Sequence, residues 1–414
     1  MKVIRAEQVY IKGNSNISKL CHLSKNLFNE ANYTVKQNLK DNRKWVRYNE
    51  LVMILRNSDN YKSLPATSQQ ILRVFDKSWV SFFKVIRLWK KNPEKFKRKP
   101  NPPRYKKKDG EHVLIFTNQQ CRIKDYCVLF PKKMLGLDIK TRLPDSTNLR
   151  EVRIVPKGVG YVCEVVYEKE IILEKKDEDR IVGIDFGIKN IVTMVNNIGI
   201  KPIVVKDDGK GIKSINQFYS KEKAKLQSIY DLQKIKNGVK MRRLSDKHKK
   251  KSKDYLHKLS KFIVKWCVKH NIGKIIFGYN EQWKQEINMG KQTNQIFTQI
   301  PYTDIIEKVT YKAEEVGIKV IKQEESHTSI VSFLDAEQIE HHDVYVGKRI
   351  SRGLFKSAKG IVINSDVQGG YNIIRKCEPK AFVKAEADGV GGCELHPVQW
   401  KDDEIAQSIF SLNV

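Results

Sequence analysis

Three short apolar segments, at 181–185, 190–195 and 202–205, constrain the fold of this chain more than any other feature. Each has the length and composition of a β-strand. Helical patterns follow at 214–237 and 246–270, and then a strand at 274–278, a helix at 302–316 and a strand at 318–323. Successive short strands followed by alternating helices and strands predict an α/β sheet covered by helices.

Two aspartates stand at informative places in this pattern. Asp185 ends the first apolar strand, and Asp366 opens the last helix of the sheet region. Considered alone, Asp185 is explained as a turn residue and Asp366 as a helix N-cap. Together, in an RNase H-like sheet, they predict a phosphodiester-cleaving site, because two cations about 3.5–4 Å apart need several carboxylates to hold them. Carboxylate oxygens favour Mg²⁺, for which Mn²⁺ can substitute.

The charge of the chain indicates its partners. The 414 residues include 78 Lys and Arg against 47 Asp and Glu, a formal net charge of +31, which predicts polyanion binding. Sixteen Tyr, sixteen Phe and six Trp are enough aromatic side chains for packed cores, so the chain is not a disordered polycation. The seven Cys form no Cys-x-x-Cys pair, and no long apolar run or signal-like N-terminus is visible. We therefore expect a cytoplasmic, nucleoid-associated protein with no membrane partner.

The first 180 residues predict a small β-barrel with inserted helices. Strand patterns occur at 3–11, 113–116, 127–130, 152–155 and 161–167, and helical patterns at 20–39 and 67–89. The aromatic stripe of the second helix favours core packing over base stacking. A basic, Pro-rich loop at 90–108 follows; a solvated face is the alternative to phosphate contact. The phosphate-contact candidates are Lys77, Lys84, Arg87, Arg98 and Arg104.

Several motifs occur in an order that resembles a known family. Over residues 26–376, the chain resembles the TnpB family. These are transposon-encoded RNA-guided DNA endonucleases, ancestral to type V CRISPR effectors. The motifs that carry the resemblance are Gly183-Ile184-Asp185-Phe186-Gly187, Arg242-Arg243-Leu244, His257-Lys258-Leu259-Ser260, His327-Thr328-Ser329 and Asn364-Ser365-Asp366-Val367-Gln368-Gly369-Gly370-Tyr371-Asn372-Ile373.

The resemblance implies an α/β multidomain fold. Residues 1–180 would form a wedge β-barrel with a helical recognition insert at about 14–110. Residues 181–376 would form a RuvC-type nuclease domain with a target-nucleic-acid-binding insert at about 326–363, leaving 377–414 as a C-terminal tail. It also implies a transposon-end-derived guide RNA, a double-stranded DNA target beside a short motif, and Mg²⁺-dependent cleavage to 5′-phosphate and 3′-hydroxyl ends. Base pairing would read the sequence, while basic residues hold the backbone. Further candidates for this contact are Arg242, Arg243, Lys348, Arg349 and Arg352.

The chain departs from the family at the second catalytic carboxylate. The family has a Glu at the end of the strand that here reads Ile275-Ile276-Phe277, but this chain continues with Gly278. We expect the carboxylate to have moved to the neighbouring strand end, with Glu325 the first candidate and Glu324 the second. Strand alternation points these two to opposite faces. Glu281 and Glu286 are fallback candidates.

A second departure concerns zinc. The family insert carries two Cys pairs, whereas residues 326–363 contain no Cys, so no zinc is expected. His327, His341 and His342 could ligate a metal but are more typical of a solvated loop. The alternative function is a nuclease-inactive RNA-guided DNA-binding protein, a repressor or transposition accessory. A DNA-joining transposase fits less well, because no His-hydrophobic-His motif accompanies a Tyr nucleophile.

Overall fold

The structure is a computed structural model that describes residues 1–42, 44–131, 137–207, 209–236, 238–280, 290–382, 393–401 and 405, with only the backbone at 291 and 292. The chain divides into two compact units, Met1–Ile171 and Ile172–Val414. Both contain helices and strands, so the protein is a mixed α/β multidomain chain. None of the helices among the described residues combines the length and apolar character that crossing a bilayer requires.

The helices of the first unit bury apolar stripes spaced three and four residues apart. The longest, α1, is capped by Asn14, whose side chain accepts the N–H groups of Asn16 and Ile17. In α4, Phe75 and Trp79 are buried, which confirms core packing for this part of its aromatic stripe. The helices are α1 (Ser15–Asp41), α2 (Tyr48–Leu55), α3 (Asp59–Lys62) and α4 (Ser68–Lys91), followed by a 3-10 turn at Pro93–Lys95.

The strands of the first unit form two antiparallel sheets. The larger has the order β1-β7-β6-β2, in which β6 and β7 form an antiparallel hairpin, and β3, β4 and β5 form the smaller. The predicted closure into a barrel stays a prediction. The strands are β1 (Lys2–Ile11), β2 (Leu114–Thr117), β3 (Arg122–Lys124), β4 (Cys127–Leu129), β5 (Asp138–Lys140), β6 (Asn148–Lys157) and β7 (Gly160–Glu170).

A six-stranded mixed sheet forms the centre of the second unit. Its order is β12-β11-β8-β9-β10-β16; β8, β9 and β10 are antiparallel, and β11 and β12 run parallel to β8. The strands are β8 (Asp177–Asp185), β9 (Asn190–Asn196), β10 (Ile203–Lys206), β11 (Ile272–Gly278), β12 (Lys319–Gln323) and β16 (Val398–Trp400).

Helices cover both faces of this sheet, which explains why its strands are apolar throughout. Val182 and Ile184 join the core formed with α6 and α8, whereas Ile181 joins the core formed with α9. Because side chains alternate along a strand, Asp185 belongs to the face covered by α9. The helices are α5 (Ile212–Leu232), α6 (Val239–Lys269), α7 (Lys291–Gln299), α8 (Tyr302–Glu314) and α9 (Ser365–Cys377).

Three features of the second unit differ from the sequence-based expectation. β8 begins at Asp177 rather than at 181, and α6 begins at Val239 rather than at 246, so α6 includes Arg242 and Arg243. The segment 377–414, expected to be a tail, contains β16, which pairs in parallel with β10. The expected insert at 326–363 ends in a three-stranded antiparallel sheet of β13 (Lys348–Ser351), β14 (Leu354–Lys356) and β15 (Val362–Asn364).

Candidate active site

Asp185 lies where β8 packs closely against α9. A Cβ built on Gly183 would be 2.7 Å from the Gly370 carbonyl oxygen, so only glycine allows this approach. A Cβ built on Gly369 would be 3.4 Å from Asp185 Oδ2. The close packing therefore holds the Asp185 carboxylate against the N-terminal half of α9.

Asp366 is held in the first turn of α9 by two asparagines. Asn364 is the N-cap, and its Oδ1 accepts the N–H groups of Asp366 and Val367 at 3.0 and 3.1 Å. Asn190, at the start of β9, donates its Nδ2 to Asp366 Oδ2 at 2.5 Å. The cap fixes the backbone of Asp366, and Asn190 fixes its carboxylate.

Glu325 occupies the space that a side chain at position 278 would fill. A Cβ built on Gly278 would collide with Glu325 Oε2 and with the side chain of Ile373. The Glu325 backbone is anchored on both sides: its N–H donates to Asn280 Oδ1 at 3.4 Å, and its carbonyl accepts the Thr328 hydroxyl at 2.8 Å. The carboxylate from the end of β12 thus lies over the end of β11.

The negative charges of Glu325 and Asp366 both act on Asp185. Burial raises the pKa of Asp185 well above its ordinary value, and the negative charges of Glu325 and Asp366 raise it further. The Phe186 backbone N–H and the Arg349 guanidinium act in the opposite direction. Each of the three residues is half-buried. The structure therefore brings Asp185, Glu325 and Asp366 together.

Tyr302 adds an aromatic wall to this region. Its hydroxyl donates to the Gly187 carbonyl at 2.9 Å, and its ring lies 5.2 Å from that of Phe186. Burial raises the pKa of Tyr302, with further contributions from Asp185 and Glu325. Tyr302 therefore remains a neutral phenol beside the carboxylates.

Glu324 is placed elsewhere. Its carboxylate accepts Lys376 Nζ and the Ser326 N–H, each at 2.7 Å. Although its partial burial acts in the opposite direction, these two partners lower the pKa of Glu324 to about 2. It forms an exposed ion pair with α9 and does not face Asp185. The fallback candidates Glu281 and Glu286 lie outside the described residues.

The chemistry of the donor set fits a hard divalent cation, because three carboxylates from different elements accumulate negative charge that such an ion neutralises. Within the described part of the chain, however, no three His, Cys, Asp or Glu side chains are arranged closely enough to hold a metal. Of the three insert histidines, His342 donates Nε2–H to the Gln338 carbonyl, and the His327 and His341 rings lie 6.0 Å apart.

The ten predicted phosphate contacts are all exposed. In the first unit, three lie on α4 (Lys77, Lys84, Arg87) and two in the following loop (Arg98, Arg104). In the second unit, two lie in the first turns of α6 (Arg242, Arg243), and three lie on β13 and its turn (Lys348, Arg349, Arg352). Arg349 acts on the charge of Asp185, so β13 brings positive charge beside the carboxylates.

Asn190 and Tyr302 are site residues that the sequence analysis missed. Asn190 is the first residue of the second short strand, and Tyr302 follows a Pro at the start of a helix. Neither position carries a local signal. Their relevance depends on contacts across the fold.

The fold and the site define a mixed α/β multidomain protein that gathers three carboxylates at one edge of a sheet. The family model OrfB_IS605, described as "Probable transposase", matches residues 164–284. A TnpB-like protein of Acidianus two-tailed virus is 25% identical over 404 residues, which cover 87% of this chain and 83% of that protein.

Two further similarities concern CRISPR-associated proteins. The CRISPR-associated endodeoxyribonuclease Cas12f1 of Sulfoacidibacillus thermotolerans is 31% identical over 118 residues, which cover 28% of this chain and 25% of that protein. The match to the solved structure titled "Structure of the mini-RNA-guided endonuclease CRISPR-Cas_phi3" covers 96% of this chain and 94% of that chain, with 11% identity and a TM-score of 0.45. These matches make the chain similar to TnpB-like proteins over most of its length and to a CRISPR-associated nuclease over a shorter stretch.

Proposed function

We propose that this chain is an RNA-guided DNA endonuclease whose metal-dependent site consists of Asp185, Glu325 and Asp366. The proposal rests on one observation above all: Glu325 lies over Gly278, at the strand end where family members have their catalytic Glu. The end of β11, which has no carboxylate of its own, thus receives the carboxylate of Glu325 from the end of the neighbouring strand β12.

The architecture supports a RuvC-type assignment for the second unit. Three antiparallel strands lie beside two parallel ones in the order β12-β11-β8-β9-β10, with Asp185 at the end of β8. This is the order expected of an RNase H-like sheet. In the first unit, we propose that the two sheets and the helices at 15–91 are the wedge and recognition parts.

Asp185, Glu325 and Asp366 would hold the Mg²⁺ ions. When bound, the Mg²⁺ ions would supply Lewis acidity toward a phosphate oxygen and lower the pKa of water. The chain's own contribution is positioning. Asn190 keeps one oxygen of Asp366 in a hydrogen bond and leaves the other available for a ligand. Phe186 and Tyr302 exclude bulk water from one side, which strengthens the electrostatic interactions there.

The partners would be a transposon-end-derived guide RNA and a double-stranded DNA target beside a short motif. The charge supports this, because α6 alone contains twelve Lys and Arg against two Asp. Such a surface holds phosphate backbones without reading sequence. Arg349 would meet the phosphodiester that approaches Asp185.

A nuclease-inactive RNA-guided DNA-binding protein is the second candidate. Two observations favour it: Gly278 replaces the family Glu, and no group of three metal-ligand side chains is closely arranged among the described residues. The negative charge of Glu325 acts on Asp185, and this proximity of the two carboxylates favours the active enzyme.

Plasmid cleavage separates the two candidates. The protein is co-expressed with its flanking locus, purified with its RNA, and incubated with a target plasmid in Mg²⁺ or in EDTA. The active enzyme cuts only in Mg²⁺, and Asp185→Ala abolishes cutting while RNA-directed binding persists. Tight RNA-directed binding without cutting by the wild-type protein would establish the second candidate. Cutting by Asp185→Ala would remove the proposed site.

A further inference from the structure

A cavity of about 420 Å³ lies between the N-terminal parts of α5 and α6, and its lining residues do not include Asp185, Glu325 or Asp366. This volume is within the roughly 300–1,000 Å³ that small-ligand clefts occupy. The lining residues are Gly209, Lys210, Ser214, Ile215, Phe218, Tyr219, Leu244, Lys247, His248 and Lys251. No carboxylate is among these described lining residues, whereas three are lysines.

One wall of the cavity is a rigid aromatic pair. The rings of Tyr219 and His248 stack with centroids 4.2 Å apart and planes 20° apart. The Tyr219 hydroxyl lies 3.1 Å from Ser245 Oγ, and His248 Nε2 lies 2.8 Å from Asn216 Oδ1. Asn216 in turn donates Nδ2 to the Gln299 carbonyl, so its Oδ1 is the acceptor for His248 Nε2–H. These bonds fix both rings before any ligand arrives.

The opening of the cavity combines positive charge with an exposed ring. Lys210, Lys247 and Lys251 are exposed, and Phe218 has 54% of its surface in solvent. A large aromatic side chain costs free energy when it is left in water, and this one lies beside three ammonium groups. An apolar ring for stacking and cations for phosphates are the two components of sites for single-stranded nucleic acid.

We propose that this cavity binds one unpaired nucleotide of a single strand. The base stacks on Phe218 against the Tyr219–His248 pair, and Lys247 and Lys251 contact the adjoining phosphates. A base inside a duplex is already stacked and paired on both sides, so a double helix cannot fill the cavity. Stacking accepts any base, because every base has a π-face. The nature of the strand rests on the proposed function, since both a guide RNA and an opened DNA target would supply unpaired nucleotides.

Binding is tested with the full-length Asp185→Ala protein, freed of RNA in high salt and kept in EDTA. The probes are fluorescent oligouridylate and oligothymidylate of about 15 nucleotides, a duplex of the same length, and a strand of abasic sugars. The variants are Phe218→Ala and the pair Lys247→Ala/Lys251→Ala. The matched control is Lys240→Ala/Lys249→Ala, which removes two exposed lysines of α6 that do not line the cavity.

We expect Phe218→Ala to weaken single-strand binding about tenfold without changing its salt dependence, and to leave binding to the abasic strand and duplex unchanged. Lys247→Ala/Lys251→Ala should lower the slope of log K against log salt by about 1.4, more than the control pair. A loss on RNA, on DNA or on both supports the site and identifies its source. Equal losses on the abasic strand or duplex, or equal effects of the two lysine pairs, would overturn it.

The outcome is independent of catalysis, because no cleavage is measured. If the plasmid assay shows no cutting while Phe218→Ala still reduces base-dependent binding, the proposed function fails and the nucleotide site stands. Phe218 is exposed, so its replacement by Ala should leave the melting temperature unchanged, which a thermal scan confirms before binding is interpreted.

Discussion

Asn190 shows how much of the site depends on a residue that carries no charge. It donates to one oxygen of Asp366 and thereby restricts the orientation of that carboxylate. Removal of such a supporting hydrogen bond typically costs about 10–100-fold in metal affinity or activity. We therefore expect Asn190→Ala to raise the Mg²⁺ concentration for half-maximal cleavage by about tenfold or more, measured by titrating Mg²⁺ in the plasmid assay.

The matched control is Asn60→Ala. Asn60 also donates to a carboxylate, Glu30 Oε2 at 2.8 Å, but in the first unit. It should leave the Mg²⁺ requirement unchanged. An Asn190→Ala variant with a wild-type Mg²⁺ titration would show that this bond does not position Asp366.

At this scale, the sequence identifies the two aspartates because each stands at a recognisable boundary: the end of an apolar strand and the capped start of a helix. It cannot separate Glu324 from Glu325, because they are adjacent and chemically alike. The choice depends on two distant residues, since Lys376 holds one and the empty space at Gly278 receives the other. Asn190 lies 176 positions from Asp366, beyond any local pattern.

At the scale of elements, we propose that Glu325, which follows β12, takes the place of the Glu expected at the end of β11. Glu325→Ala should reduce cleavage at least about a hundredfold, because it removes a proposed metal ligand rather than an outer partner. Gly278→Glu alone should also be impaired, since its side chain competes with Glu325 for one space. The double variant Gly278→Glu/Glu325→Ala returns the carboxylate to the family position and should recover at least about a tenth of the lost activity.

The measurement is the initial rate of plasmid cleavage for the four proteins at saturating Mg²⁺, with melting temperatures as the folding control. Besides Glu325, a side chain at position 278 would meet Ile373. The Ile373 atom nearest to it is the flexible terminal methyl group. A stable double variant no more active than Glu325→Ala would contradict the equivalence of the two positions.

A buried carboxylate holds the segment at 326–363 together. The buried Glu337 accepts the N–H groups of Ser332 and Val346 at 2.6 and 2.8 Å, which joins the two sides of the segment. Glu337→Ala leaves both donors unsatisfied and should lower the free energy of unfolding by about 2–4 kcal/mol, measured in urea. Hydrogen exchange should accelerate first at 332–346.

Glu340→Ala is the matched control, because Glu340 is exposed in the same segment. It should change stability by less than about 0.5 kcal/mol. In buffer without added Mg²⁺, so that the proposed Asp185–Glu325–Asp366 site is empty at the start, EDTA should leave the melting curve of the wild-type protein unchanged. A large downward shift in EDTA would instead reveal a structural metal in this unit.

Element prediction succeeded where periodicity was long. The helical pattern at 246–270 lies within α6, where Leu256, Leu259, Phe262, Ile263 and Trp266 are buried, and the strand patterns at 152–155 and 161–167 lie within β6 and β7. It failed for β16, because three residues, Val398-Gln399-Trp400, have no measurable period and pair with a strand far away in sequence. The start of α6 was missed because its first two turns are mostly polar.

At the scale of the whole molecule, the charge of +31 predicts binding that falls steeply with salt. Arg242→Ala/Arg243→Ala should reduce the slope of log K against log salt on duplex DNA by about 2, measured by fluorescence anisotropy across a salt series. Both guanidinium groups are exposed at the start of α6.

A control of equal charge distinguishes contact from general attraction. Lys2 pairs with Glu168 and Glu170, and Lys225 pairs with Glu222. Lys2→Ala/Lys225→Ala removes the same two charges from positions already neutralised, and should change the slope far less. Equal slopes for the two double variants would mean that Arg242 and Arg243 do not contact phosphates.

The central claim is that Glu325 completes the site of Asp185 and Asp366. The most direct measurement is cleavage of a target plasmid in Mg²⁺ and in EDTA by the RNA-loaded wild-type protein, Glu325→Ala and Glu324→Ala. We predict Mg²⁺-dependent cutting by the wild-type protein and by Glu324→Ala, because Glu324 pairs with Lys376 and Ser326 at the surface. Glu325→Ala should not cut. Cutting by Glu325→Ala, or its loss in Glu324→Ala alone, would contradict the claim.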